Sequence, residues 1–200
     1  NAHYALLTVG EDVAVSYAAP VPLPGSVSLS LDANGEPENF YADGIAYYVI
    51  NNNMGYDGDL ELALIPESFR TDVLREKLDA KGVLIENSDA ELALFALLFE
   101  FDGDVRHIRH VMYNCSASRP KIEGKTNEEK KEVQTETLTI KATPWSDGKV
   151  KAKTGNTTDA TVYADWYKSV YLPAADPASL QADNGGKSVV DAAGNGKALS

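Results

Sequence analysis

The first 69 residues contain neither lysine nor arginine, and Arg70 is the first fixed cation of the chain. The same stretch holds ten carboxylates. Up to residue 100 there are 17 acids against four bases, and beyond it 13 against 14, so the net charge of -12 resides in the first half. Gripping phosphates requires clustered Lys and Arg, and this half has no such cluster. It repels polyanions instead, at the cost of self-repulsion that water or a partner must relieve.

Cysteine is almost absent. Cys115 stands alone, which excludes a disulfide within the chain and fits a reducing compartment or a fold that needs no staple. Its place in an apolar segment beside Tyr113 points to a buried structural thiol. No apolar run reaches the roughly 18 residues of a membrane span. Asn1-Ala2-His3-Tyr4 shows no basic stretch leading into an apolar block, so no secretory leader is expected there. Without a secretory route, the glycan-acceptor patterns Asn114-Cys115-Ser116 and Asn156-Thr157-Thr158 carry no meaning.

The signatures of chemistry are missing too. There is no P-loop, no strand-linked GxGxxG and no GxSxG. The three histidines sit in no recognisable catalytic context. His107 and His110, three apart on a strand, point to opposite faces and make a poor metal pair. Asp57-Gly58-Asp59 lacks the spacing and terminal Glu of a calcium loop. Carboxylates are so numerous that no acid–base couple stands out. Neither enzyme activity nor a cofactor is expected.

What the sequence does contain is strand after strand, in a chain whose 44% hydrophobic content can fill a core. Tyr4–Thr8 and Val13–Tyr17 flank a turn, and Pro20, Pro22 and Pro24 then interrupt pairing. Val27, Leu29 and Leu31 alternate with Ser26, Ser28 and Ser30, giving an apolar face and a hydroxyl face. Asp32 to Glu38 reads as a loop. Phe40–Ala42 and Ile45–Ile50 are extended. In Asp59–Ile65, Leu60, Leu62 and Leu64 share one face. Pro66-Glu67-Ser68 opens a helix over Glu67 to Ala80, stopped by Gly82. Leu92–Phe101 is apolar on both faces, turns at Asp102-Gly103-Asp104 and returns as Val105–Ala117, a long hairpin. Pro120 to Glu132 reads as a long mobile loop. Val133–Thr143 alternates Leu138, Ile140 and Ala142 against threonines. Lys149–Lys153 follows a turn, and Thr161–Tyr171 has helical spacing. Residues 1–172 form one domain, and 173–200, rich in Ala, Gly and Asn, a flexible tail.

Several of these segments resemble, in order, the major tail proteins of long non-contractile-tailed phages, the phi13 type. The likeness lies in Phe40-Tyr41-Ala42-Asp43-Gly44-Ile45, in Asn51-Asn52-Asn53-Met54-Gly55-Tyr56-Asp57-Gly58-Asp59-Leu60-Glu61 and in Leu64-Ile65-Pro66-Glu67-Ser68-Phe69-Arg70. It continues through Phe95–Phe101 and Tyr113-Asn114-Cys115 to Gln134–Ile140 and Trp166-Tyr167. The resemblance implies a mainly β, tail-tube-type sandwich or barrel with one main flanking α-helix and extended loops. It implies hexameric rings stacked into a tube that houses a tape-measure protein and conducts DNA to the host. Further implied partners are a tail terminator and baseplate or tip proteins, and the implied location is the virion, after the host cytoplasm. The family has no catalytic residues to carry over.

Combined with the charge pattern, this makes Asp57, Asp59 and Glu61 candidates to line the lumen, past which DNA moves without specific binding. The loops holding Asp32, Asn34, Glu36 and Glu38, and Lys121, Glu123, Lys125, Glu128 and Glu129, are candidates to reach a neighbouring subunit or ring. The competing expectation is a monomeric β-sandwich binding module such as an adhesin or carbohydrate-recognition domain, which the ten tyrosines would suit. A hydrolase is a third class.

Overall fold

Alternation of apolar and polar residues gives way to continuous apolar runs only where a strand is covered on both sides, and this decides the architecture. The computed structural model describes residues 1–10, 15–36, 38–42, 45–50, 52–122 and 134–173, with the backbone alone for 38–42 and 45–50. The elements are β1 (Ala2–Val9), β2 (Val15–Tyr17), β3 (Val21–Pro22), β4 (Ser26–Asn34), β5 (Glu38–Ala42), β6 (Ile45–Ile50) and β7 (Gly55–Leu62). There follow α1 (Glu67–Asp72), β8 (Lys77–Leu78), β9 (Leu84–Ile85), β10 (Phe95–Glu100), β11 (Arg109–Ala117), β12 (Glu136–Ala142), β13 (Lys151–Lys153) and α2 (Ala160–Asp165). The fold is mainly β and antiparallel.

One sheet runs β2-β1-β10-β11-β12-β7-β4, with β13 beside β11 and β3 beside β1. β11 serves two neighbours along one edge: His110–Met112 pair with β13 and Cys115–Ala117 with β12. Tyr4 of β1 and Phe95, Leu97 and Phe99 of β10 share a core with Leu60 and Leu62 of β7 and Leu138 and Ile140 of β12. Strands from both wings therefore bury the same face, so the sheet curls around one core. The opposite side of β1, β10 and β11, presenting Ala5, Ala96, Leu98, Val111 and Tyr113, is covered by Trp166 and Val170. This accounts for the apolar character of β10 on both faces. β5–β6 and β8–β9 are separate hairpins.

α1 plugs the core. Phe69 is fully buried, edge-on to Tyr4 (centroids 5.1 Å apart) and to Phe95 (5.5 Å). The Tyr4 hydroxyl donates to Asp72 at 2.8 Å, and burial pushes its pKa up to about 12. At the other end, Arg109 lies over the Tyr163 ring at 3.9 Å and pairs with Glu100 at 3.1 Å, tying α2 to the sheet. Cys115 is wholly buried, and desolvation pushes its thiol up to about 12, as suits an inert core residue.

Several expectations are corrected. The helix ends at Asp72, not Ala80. Val73 and Leu74 already bury the apolar side chains the core accepts, and Arg75 takes a left-handed conformation (φ 60°) that redirects the chain. Asp79 then accepts from the Lys81 and Val83 N–H groups and closes a hairpin turn in place of another helical turn. The return strand begins at Arg109, not Val105, because Asp104 accepts from the Arg106 and Ile108 N–H groups and enlarges the turn. β10 begins at Phe95, not Leu92. Val21 and Pro22 pair briefly with β1 despite the prolines. β4 continues through Asp32 to Asn34, so those two residues are strand and not loop. The tail from residue 174 and most of the Pro120–Glu132 loop lie outside the described residues.

Alternation also fails at the end of β7. Leu64 is 68% exposed while Ile65 is 2% exposed, since pairing stops at Leu62 and the chain turns into α1. Ile65→Ala is expected to cost about 2–5 kcal/mol and Leu64→Ala less than about 0.5 kcal/mol, read by urea denaturation. The reverse order would contradict this packing.

Candidate functional site

Residues of β7 alternate across the sheet, and the neighbouring strands match that alternation. Leu60 lies between Leu29 of β4 and Leu138 of β12 on the core side. Glu61 lies between Ser28 and Thr137, Asp59 between Ser30 and Thr139, and Asp57 between Asp32 and Lys141. Residues directly opposite each other in an antiparallel pair share a face. The three expected lumen acids are therefore brought together on one side of the β4–β7–β12 wing, joined by Asp32.

The way these acids are held is informative. Glu61 accepts from the Thr135 hydroxyl at 2.6 Å and from the Ser28 hydroxyl at 2.9 Å. Asp59 accepts from the Thr139 hydroxyl at 2.9 Å, and Asp57 from the Asn34 side-chain amide. All four donors are neutral, and they come from both flanking strands. Among the described residues none of the three acids forms an ion pair. Around the corner, at the base of α1, the treatment is opposite: Glu136 pairs with Arg70 at 2.6 Å and accepts from the Ile65 N–H, while Arg70 also holds Glu76 at 3.2 Å. Cations pair with the acids beside the core, whereas the sheet-face acids are held by neutral donors. Asp32 and Asp57 stand directly opposite one another, and the one cation in this row is Lys141.

Gly58 shapes the site. A β-carbon there would come within 1.8 Å of the Ser30 carbonyl oxygen, so only glycine lets β4 lie this close to β7. β4 is the last strand of the wing, and among the described residues no strand pairs with its outer side. A bulge at Val27 distorts one end, leaving Ser28–Asn34 regular. The strand holds no Lys, Arg or Pro, the usual guards of an exposed edge.

Of the expected contact loops, Asp32 and Asn34 belong to the face itself, and Glu36 is exposed in the connection to β5. Glu38 opens β5, and Lys121 is exposed. Glu123, Lys125, Glu128 and Glu129 lie outside the described residues. The hydroxyl face of β4 was visible as a serine alternation. Thr135 and Thr139 were missed as partners because a sequence does not state which strands are neighbours. His110 stacks on Phe99 at 5.0 Å. Among the described residues no three His, Cys, Asp or Glu side chains form a metal-binding group, and no helix is long and apolar enough to cross a membrane.

No protein-family model and no curated protein matches the sequence. Among solved structures, a chain of the anti-feeding prophage tube-terminating cap is similar at 9% identity and a TM-score of 0.37, over 76% of this chain and 87% of that one. A chain of the anti-feeding prophage baseplate is similar at 10% identity and a TM-score of 0.37, over 78% and 93%. Likeness at this level implies nothing about function.

The hydrogen bonds from Thr135, and secondarily from Ser28, lower the Glu61 pKa below the ordinary glutamate range. A carboxylate whose folded pKa is depressed favours the folded state above its unfolded pKa, and that contribution is lost as pH falls through the folded value. Carboxyl NMR titration should find Glu61 ionised to lower pH than an ordinary glutamate. Thr135→Val should raise its midpoint, whereas an unchanged midpoint would remove the hydroxyl as the cause.

Proposed function

We propose that this chain is a structural subunit of a phage-type tail tube, with the acidic side of β4–β7–β12 facing the bore. The observation carrying this reading is the union of two features on one wing: carboxylates held by neutral donors, and a β4 edge left open. A cation-poor acidic wall cannot take up the phosphate contacts, with release of counterions, that would slow a passing nucleic acid. An unguarded edge invites a strand from a second copy. If each copy adds its sheet to the next, the acidic side becomes continuous around a ring, and a heterologous contact of this kind closes when the rotation permits.

In this role the protein is an assembly component of the virion and not an enzyme. Its partners are copies of itself in rings, a tape-measure protein within the bore, and a terminator and baseplate or tip proteins at the ends. DNA passes without being bound. A second reading draws on an open cavity of about 350 Å³ lined by residues that include Tyr17, Tyr113, Trp145, Asp147 and Lys149. Aromatic walls with a few polar groups suit a small ligand, as in a monomeric binding module.

Negative-stain microscopy of the concentrated protein should show rings or tubes, and tubes should leave DNA unbound at low salt. Tubes of Asp59→Lys with Glu61→Lys should retain DNA, with retention falling steeply as salt rises. A chain that stays monomeric at every concentration and recognises a glycan would establish the binding module in place of the tube.

A further inference from the structure

Two exposed apolar tips lie at opposite ends of β10. At its start is the β8–β9 hairpin, which pairs with no other strand of the described residues. It exposes Leu78, Val83 and Ile85 by about half. A lone two-stranded hairpin is marginal by itself, yet this one is fixed at its root. The Ala93 N–H donates to the Val73 carbonyl, Glu76 pairs with Arg70, and Glu86 pairs with Arg119 at 2.9 Å just beyond the end of β11. Asp79 closes its turn. At the far end of β10, the 101–108 turn is held in shape by Asp104 and exposes Phe101 (49%) and Val105 (94%). Both tips are preorganised, so a partner would cost little ordering.

Six residues of strand separate the two tips, about 20 Å at the rise of an extended chain. Lying at the two ends of the strand, they meet only if two copies come together. Their charges are complementary. Glu76 and Glu86 of the hairpin segment are ion-paired, so Arg75, Lys77 and Lys81, which form no ion pair among the described residues, stand against the single carboxylate Asp79 that closes the turn. The turn carries Asp102 and Asp104 against the single fixed cation Arg106, with His107 beside it.

We propose that the β8–β9 hairpin of one copy docks on the 101–107 turn of a second copy. Leu78, Val83 and Ile85 cover Phe101 and Val105, and Lys77 and Lys81 face Asp102 and Asp104. Because the two surfaces differ, the contact is heterologous and repeats head to tail along β10. It rests on the tube reading only in taking this repeat as the stacking direction. The open β4 edge, by contrast, joins copies side by side.

Engineered thiols test the contact without reference to tubes, since the sole native thiol is buried. The full chain carrying Val83→Cys and Val105→Cys together should, under mild oxidation, give a ladder of trimers and longer species on non-reducing gels. Either single variant should stop at dimers, and a mixture of the two should also stop there. A double variant that gives no species beyond the dimer overturns the proposal. Charge exchange gives a second measurement. Lys77→Glu with Lys81→Glu, or Asp102→Lys alone, should shorten stacks at least tenfold by microscopy and leave single rings. Combining the exchanges in one chain should restore length. Single exchanges that change nothing, or a loss that the combination does not repair, would also overturn it. If the double-thiol chain gives a ladder while the wild-type chain forms neither rings nor tubes, the tube reading fails and the docking stands. If tubes form and the exchanges are silent, the docking alone fails.

Discussion

The inward grip of β7 is the constraint on which the acidic wing depends. Leu60 and Leu62 are buried to within 1% of complete, beside Leu138 and Ile140 of β12 and under Phe69. With a side-chain period of two, burying that pair obliges Asp59 and Glu61 to point the other way. A slip of one residue would drive two carboxylates into an apolar core with no cation waiting for them. The desolvation penalty of such a slip fixes the register. β4 and β12 add their own alternation, so the outward face of the three strands is mostly hydroxyl and carboxylate, with Lys141 opposite Asp57 and Asn34 bonded to it.

The same economy explains the uneven use of cations. Arg70, the first in the chain, is committed to Glu76 and Glu136, which sit where the α1 base meets the sheet. Arg109 is likewise committed, to Glu100 and two tyrosine rings. Ion pairing is thus concentrated at joints between elements. Out on the wing, Ser28, Thr135, Thr139 and Asn34 orient the carboxylates without cancelling them. β4 and β7 of this face come from the lysine-free first third of the sequence, and its one lysine, Lys141, is brought by β12.

Much of this was legible in one dimension. The Leu138-Ile140-Ala142 alternation gave β12 and its inward face, the doubly apolar Phe95–Phe99 run gave an interior strand, and the alternation of Asp59 and Glu61 with Leu60 and Leu62 placed two of the wing acids together. What failed did so for local reasons that periodicity does not encode. Val73, Leu74 and Leu78 keep helical spacing, yet Arg75 reverses the chain and leaves Leu78 half exposed. Asp102-Gly103-Asp104 resembles a tight turn, but the Asp104 side chain captures two amides further on. Asp32 looked like a loop residue because Asn34-Gly35 follows it, whereas pairing with Asp57 extends the strand. Neighbour relations between distant strands, and with them the donors to Glu61 and Asp59, were not readable at all.

Holding carboxylates with hydroxyls has a consequence for range. Fixed charge on a wetted sheet is felt only as far as mobile ions allow, roughly 8 Å at physiological ionic strength. Beyond that thin sheath the wall is electrically silent. A channel built from it would therefore need no wide clearance: a stiff anionic rod would be centred by repulsion from every side and would glide on a film of water and small cations.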